Sequence, residues 1–191
     1  STPKPSSAAS DVYKRQGYYE FGGQRFRNSE GAVFGDTDMR RALVVSSDTY
    51  FYSLGPAIGV DALHAFMQPF GFGQATGIDL DGERTGVLPS RQWKRAAFKR
   101  PGQQAWFAGE SISLAVGQGY NNFTVLQLAQ ALATLVDDGA YTTPRLLRAT
   151  RAPGASEPAC IAAKVDHQIP LDRQNVDFIK NAMADVVAQG T

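Results

Sequence analysis

The residues best placed for chemistry in this sequence are Ser46, Ser47 and Asp48, a Ser-x-Asp triplet between two stretches with helical character. Held at a helix end, a hydroxyl and a carboxylate can be aimed together into a cleft, where they hydrogen-bond to a bound group and exchange protons with it. The same triplet also suits an N-cap, with Ser47 or Asp48 capping a helix that starts at Thr49. Both readings stay open on residue types alone. A second segment, Gly117-Gln118-Gly119-Tyr120, precedes a capped helix. It is no phosphate loop, because no Gly-Lys-Ser/Thr follows, and by itself it reads as a tight turn feeding a helix N-terminus. His64 and His167 stand far apart with no acid or cysteine at ligand spacing, so each is expected to be a surface or hydrogen-bonded histidine and no metal is expected.

The elements that must position these residues can be read from period and punctuation. Tyr18 to Phe26 alternates around Gly22-Gly23 and predicts a hairpin. Asp36 to Val45 predicts a helix with Asp36 or Thr37 near its N-cap. A second helix runs from Thr49 to Ile58, where Pro56 ends or kinks it, and a third from Val60 to Phe70. Gly71, Gly73 and Gly77 break the chain into a turn-rich connection. Ile112 to Val116 reads as a short strand or buried turn. Thr124 to Asp138 is the clearest helix, with a Thr124/Gln127 capping box, Gly139 at C′, and Leu128, Ala131, Leu132 and Leu135 as its buried stripe. The segment 151–160 is a Pro/Gly loop, and Val176, Ile179, Met183 and Val186 predict a final amphipathic helix. Arg91, Lys94, Arg95, Lys99 and Arg100 form a basic run expected to be a solvated face.

The 191 residues suffice for one domain, and with 43% apolar and 19% charged residues they suit a soluble globular one. A net charge of +1 gives no field that would favour nucleic acid. The single cysteine, Cys160, excludes an internal disulfide. Ser1 to Gln16 has no apolar period, and SSAASDVYKRQ resembles translated sequencing adapter, so residues 1–16 are expected to be a non-native tail and 17–191 the folded part. Grouped helices and few, short strands predict an α+β domain of which mostly the helical part is present, an internal fragment.

Beyond periodicity, the text itself resembles a family. SSDTYFYSLGPAIGVDAL (46–63), FGFGQATGIDLDGERTGVLPSRQWK (70–94) and VGQGYNNFTVLQLAQALATLVDDG (116–139) are similar, in order and spacing, to the class B penicillin-binding proteins, most closely the penicillin-binding protein 2 branch. Thr124-Val125 stands where that family usually has Thr-Pro. The resemblance implies a transpeptidase fold, an antiparallel sheet with a helical subdomain, present here in part, and a peptidoglycan D,D-transpeptidase of rod elongation with stem peptides and β-lactams as ligands. It implies roles for Ser46 and Asp48 as catalytic residues and for Gly117, Gln118 and Gly119 as substrate-binding ones. Partner and place follow in the same way: a membrane glycosyltransferase of the elongation complex, at the bacterial inner membrane with the catalytic domain in the periplasm.

Some relatives hold zinc through acids, a His and a Cys near the triplet. Here no His precedes His64 and the middle residue is Ser47, so no zinc and no cofactor is expected. The family's nucleophile lies in a Ser-x-x-Lys, and a Lys-Thr-Gly strand binds the substrate carboxylate. Ser1-Thr2-Pro3-Lys4 has the form of the first, and no Lys-Thr-Gly occurs, so the chain alone is expected to be inactive toward penicillin. Two other functions stay open: a D,D-carboxypeptidase or serine β-lactamase on the same fold, or a non-catalytic β-lactam sensor or elongation scaffold.

Overall fold

The computed structural model describes residues 17–190, so Ser1 and Lys4 lie outside the described residues. The chain divides into two compact units. Among the described residues, the first combines 17–65, Pro89–Asn121 and 177–190, and the second Phe66–Leu88 and Asn122–Val176.

The first unit opens with the hairpin β1 (Tyr18–Phe21) and β2 (Gln24–Arg27), with Tyr18 opposite Arg27 and Phe21 opposite Gln24. Gly22 and Gly23 both take positive φ, 59° and 78°, as a two-residue loop matched to strand twist requires. Helix α1 is Met39–Val44, shorter than expected. Thr37 is used before the helix, its hydroxyl donating to the Gly35 carbonyl at 3.1 Å. The N-cap is instead Asp38, which accepts from the Arg41 N–H at 2.8 Å.

Helix α2 (Asp48–Ile58) carries Pro56 in its last turn and stops at Gly59, whose φ is 78°. Helix α3 follows as Val60–Met67, α4 as Arg91–Ala97 and the short α5 as Pro101–Gln104. The segment expected as strand or turn is part of helix α6, Ala108–Ala115. Its start carries no Ser, Thr, Asp or Asn cap. Glu110 supplies the cap in reverse, accepting the Phe107 N–H at 2.9 Å. Ser111, Ile112 and Leu114 are buried, and α2 packs against this helix at Ser111 and Ile112. That approach needs Gly55, since a Cβ there would collide with the Ser111 carbonyl.

The second unit is built around α7 (Val125–Val136), whose Thr124/Gln127 capping box is present in both directions, at 3.1 and 3.0 Å. Gly139, φ 92°, closes its end by donating to the Thr134 carbonyl at 2.8 Å. The buried face differs from the expected leucine stripe. Ala131 is buried and Leu135 packs on a cluster of Phe70, Ala131 and Ile169, but Leu128 and Leu132 are exposed. In their place Gln127, Gln130 and Thr134 are buried. The reason lies in loop carbonyls of the glycine-rich connection and of the segment after β3, which these side chains serve. The Gln127 amide donates to Gln74 O at 2.7 Å and Thr85 O at 2.8 Å, and Gln130 donates to Thr142 O at 2.9 Å.

Two short antiparallel pairs complete this unit: β3 (Ala140–Tyr141) with β6 (His167–Gln168), and β4 (Ala149–Thr150) with β5 (Ala159–Cys160). Helix α8, Arg173–Gln189, ends the described chain, with Val176 and Ala182 buried. No described helix is long and apolar enough to cross a membrane.

Candidate active site

The triplet sits at the entry to α2, and its side chains alternate. Ser46 is exposed, Ser47 is buried at 2% exposure, and Asp48 is half-buried as the first helical residue. Ser46 holds φ at 53°, the left-handed region that a residue with a side chain enters only when its surroundings enforce it. They do so by backbone bonds: Ser47 N–H donates to Ala42 O at 2.8 Å and Ser46 N–H to Leu43 O at 3.3 Å. The end of α1 thus wraps closed at Ser46.

Ser47 occupies the N-cap position of α2 without capping it. Its hydroxyl pairs with that of Thr49 at 3.2 Å. The Thr49 N–H is instead capped by Asn28 Oδ1 at 2.9 Å, from 21 residues upstream, and Asn28 in turn donates to Ala32 O. Capping therefore does not occupy Ser46, which is exposed, or Asp48, which is half-buried. Burial, and then the negative charge of Asp48, push the Tyr52 phenol above its ordinary pKa.

Gly117, Gln118 and Gly119 follow α6 as an exposed turn in the same unit as the triplet. Gly117 and Gly119 take φ of 76° and 70°. The turn is tied back to α6 by Gly117 N–H to Leu114 O at 3.0 Å and Gln118 N–H to Ser113 O at 2.9 Å. At Gly119 a Cβ would stand 3.1 Å from Cβ of Ser113, so both φ and space favour glycine there.

The packing of α2 on α6 joins the element that begins at the triplet to the element that ends at this turn. The arrangement offers a hydroxyl, a carboxylate and an uncovered glycine backbone on one unit. Such groups can hydrogen-bond an extended peptide and move protons at its amide.

Other sequence candidates are structural. His64 Nδ1 is 3.0 Å from Pro89 O, and His167 Nε2 is 2.9 Å from Pro69 O while its ring stacks on Tyr141 at 4.5 Å. Cys160 is exposed on β5. Among the described residues no group of three or more His, Cys, Asp or Glu could hold a metal ion. The basic run is not uniformly a solvated face: Arg91 pairs with Asp61 at 2.8 Å, and Lys94 is buried against Glu110. Sequence reading placed Lys94 in a solvated face and assigned Glu110 no role, although the aromatics that flank them, Trp93, Phe98, Trp106, Phe107 and Tyr120, are visible in the text.

Comparison with known proteins places the fold in a family. Residues 7–191 match the model of the penicillin binding protein transpeptidase domain. The chain is 36% identical over 179 residues to the peptidoglycan D,D-transpeptidase MrdA of Acinetobacter baumannii, covering 92% of this chain and 26% of that protein. It superposes on the crystal structure of Pseudomonas aeruginosa PBP2 in complex with WCK 5153 with a TM-score of 0.76 and 37% identity, over 92% of this chain and 37% of that one. A chain from a peptidoglycan synthase complex that coordinates polymerization and crosslinking gives a TM-score of 0.74 at 29% identity, over 92% of this chain and 28% of that one. The chain thus spans about a quarter of the length of the MrdA relative. With its helices, its short antiparallel pairs and its Ser-x-Asp turn all falling inside the matched region, this chain belongs to the penicillin-binding protein transpeptidase domain family.

Proposed function

We propose that the full-length protein is a peptidoglycan D,D-transpeptidase of cell elongation, and that this chain supplies the Ser-x-Asp wall of its active site. The observation that carries the reading is the alternation at α2: Ser46 exposed and left-handed, Ser47 buried, Asp48 half-exposed. In the reaction a nucleophilic serine gives its proton to a neighbouring lysine and attacks the carbonyl between the terminal D-Ala residues of a stem peptide. The C–N bond breaks and D-Ala leaves with a proton. The amine of a second stem then attacks the serine ester, forming the cross-link, and the serine recovers its proton.

Ser46 relays the proton between lysine and the leaving or attacking nitrogen. Asp48 holds the lysine and accepts from a substrate amide. Gly117, Gln118 and Gly119 let the substrate backbone approach closely, and β-lactams enter the same site as mimics of D-Ala-D-Ala. The reading extends to a membrane glycosyltransferase as partner and to an inner-membrane protein with a periplasmic catalytic domain. The synthase complex among the relatives supports the first.

The test is the rate of acylation of the full-length protein by a fluorescent penicillin. Ser46→Ala is expected to slow it roughly 10²–10⁴-fold, the range for loss of a general acid–base element, with folding intact. Ser47→Ala costs less than about tenfold, since that hydroxyl is turned into the protein. A folded Ser46→Ala variant that is acylated at the wild-type rate removes the assignment.

A further inference from the structure

One charged group in the first unit has no part in the mechanism above. Lys94 is only 1% exposed. Its ammonium donates to Ala105 O at 2.7 Å, pairs with the Glu110 carboxylate, and lies 4.7 to 5.8 Å from the ring centres of Phe107, Trp106, Phe98 and Tyr120. Glu110 collects two more donors, the Phe107 N–H at 2.9 Å and the Tyr120 hydroxyl at 3.0 Å. The Tyr120 ring is held by Trp93 at 5.2 Å, Phe98 at 5.7 Å and Trp106 at 6.1 Å. Burial, and then the Glu110 carboxylate it bonds, keep the Tyr120 phenol above its ordinary pKa and so protonated as a donor.

A buried ion pair is a poor stabiliser compared with apolar residues of the same volume, so stability is a weak reason for this one. Its position supplies a better reason. Tyr120 directly follows Gly119, and the exposed turn Gly117–Gly119 has two left-handed glycines. Glycines leave such a backbone free to wander unless both ends are fixed. The α6 end is fixed by the bonds to Leu114 O and Ser113 O. The far end is held by Asn121, whose Nδ2 donates to Leu114 O at 3.2 Å and whose N–H donates to Gln118 O at 3.4 Å, and by Tyr120, through Glu110, which Lys94 locks.

We propose that Lys94, Glu110 and Tyr120 are positioning residues that set the backbone of Gly117–Gly119 for substrate capture without touching the substrate. The inference rests on the proposed substrate-binding role of that turn.

The probe is Tyr120→Phe in the full-length protein, which keeps the ring and removes only the bond to Glu110. Amide hydrogen exchange at Gly117 and Gln118, whose N–H groups bond Leu114 O and Ser113 O, is expected to rise about tenfold, a readout independent of activity. Acylation by fluorescent penicillin, resolved into a non-covalent Kd and a limiting rate, is expected to show Kd raised about threefold to tenfold, the worth of one hydrogen bond, with the limiting rate within about twofold of wild type. Gly119→Ala, which strains the turn directly, raises Kd as well. Wild-type exchange in Tyr120→Phe overturns the positioning inference whatever the activity. Raised Kd in Gly119→Ala with wild-type Kd in Tyr120→Phe overturns it while leaving the substrate role of the turn standing. Unchanged Kd in Gly119→Ala overturns that role and the inference with it.

Discussion

Ser46 keeps a left-handed φ of 53°, a conformation that costs a residue bearing a side chain roughly 1–2 kcal/mol. Glycine would adopt it freely, at about 0.5–1 kcal/mol of extra entropy loss on folding. Ser46→Gly is therefore expected to stabilise the fold by about 0.5 kcal/mol while removing the hydroxyl that the proposed reaction uses. Thermal melts and penicillin acylation measured on the same variant check this: a rise or no change in Tm with slowed acylation fits, and a clear loss of stability does not. The sequence could not exclude the cap reading of this triplet because the residue that caps Thr49 is remote. Asn28 caps the Thr49 N–H from 21 residues away, and nothing in the local text near Ser46 announces it.

At the scale of elements, what could be read was local. The hairpin around Gly22-Gly23 and the Thr124/Gln127 capping box are formed by neighbours in sequence, and both are present. Helix α6 escaped notice because its cap is a Glu reaching back to a Phe N–H, not a Ser, Thr, Asp or Asn before an apolar period.

Helix α7 misled for a different reason. Of its expected stripe Ala131 and Leu135 pack inward, but Leu128 and Leu132 are exposed, and the buried face carries amides that serve loop carbonyls instead. Hydrophobic period cannot foresee a core organised around backbone acceptors that lie elsewhere in the chain. Gln127→Leu keeps the volume and strands the Gln74 and Thr85 carbonyls and the Thr124 N–H, so it is expected to destabilise the second unit by roughly 2–5 kcal/mol. A drop in Tm of less than a degree would contradict that account of α7. In the first unit, Gly55→Ala pushes α2 off the Ser111 carbonyl, and a loss of about 1–3 kcal/mol is expected in the same assay.

At the scale of the molecule, the second unit is clamped by acids across long stretches of chain. Asp79 accepts the Leu146 and Leu147 N–H groups at 2.6 and 3.0 Å, 67 and 68 residues on. Those bonds hold its carboxyl below the usual range. Asp166 is held low by the Thr143 side chain and N–H. At Glu83 burial disfavours the charge, but bonds from Thr76 and Gly77 outweigh it and the pKa again falls. Each is a carboxylate depressed on folding, so its contribution is complete above the unfolded value near pH 4 and is lost as pH falls through the lower folded value. Amide exchange at Leu146, Leu147 and Thr143 is expected to accelerate below about pH 4, relative to intrinsic rates, and Asp79→Asn is expected to show the fast exchange of Leu146 and Leu147 already at pH 7. Flat protection ratios down to pH 2.5 would contradict the clamps.

The central claim concerns the reaction, and its most direct measurement is product analysis. The full-length protein is incubated with peptidoglycan strands carrying pentapeptide stems, and the released muropeptides are separated and weighed. The account predicts D-Ala release matched by cross-linked dimers, abolished by penicillin and strongly reduced in Ser46→Ala. D-Ala release with only uncross-linked tetrapeptide would make the protein a carboxypeptidase, and no release by a correctly folded, membrane-reconstituted protein would make it a scaffold. Either result contradicts the account.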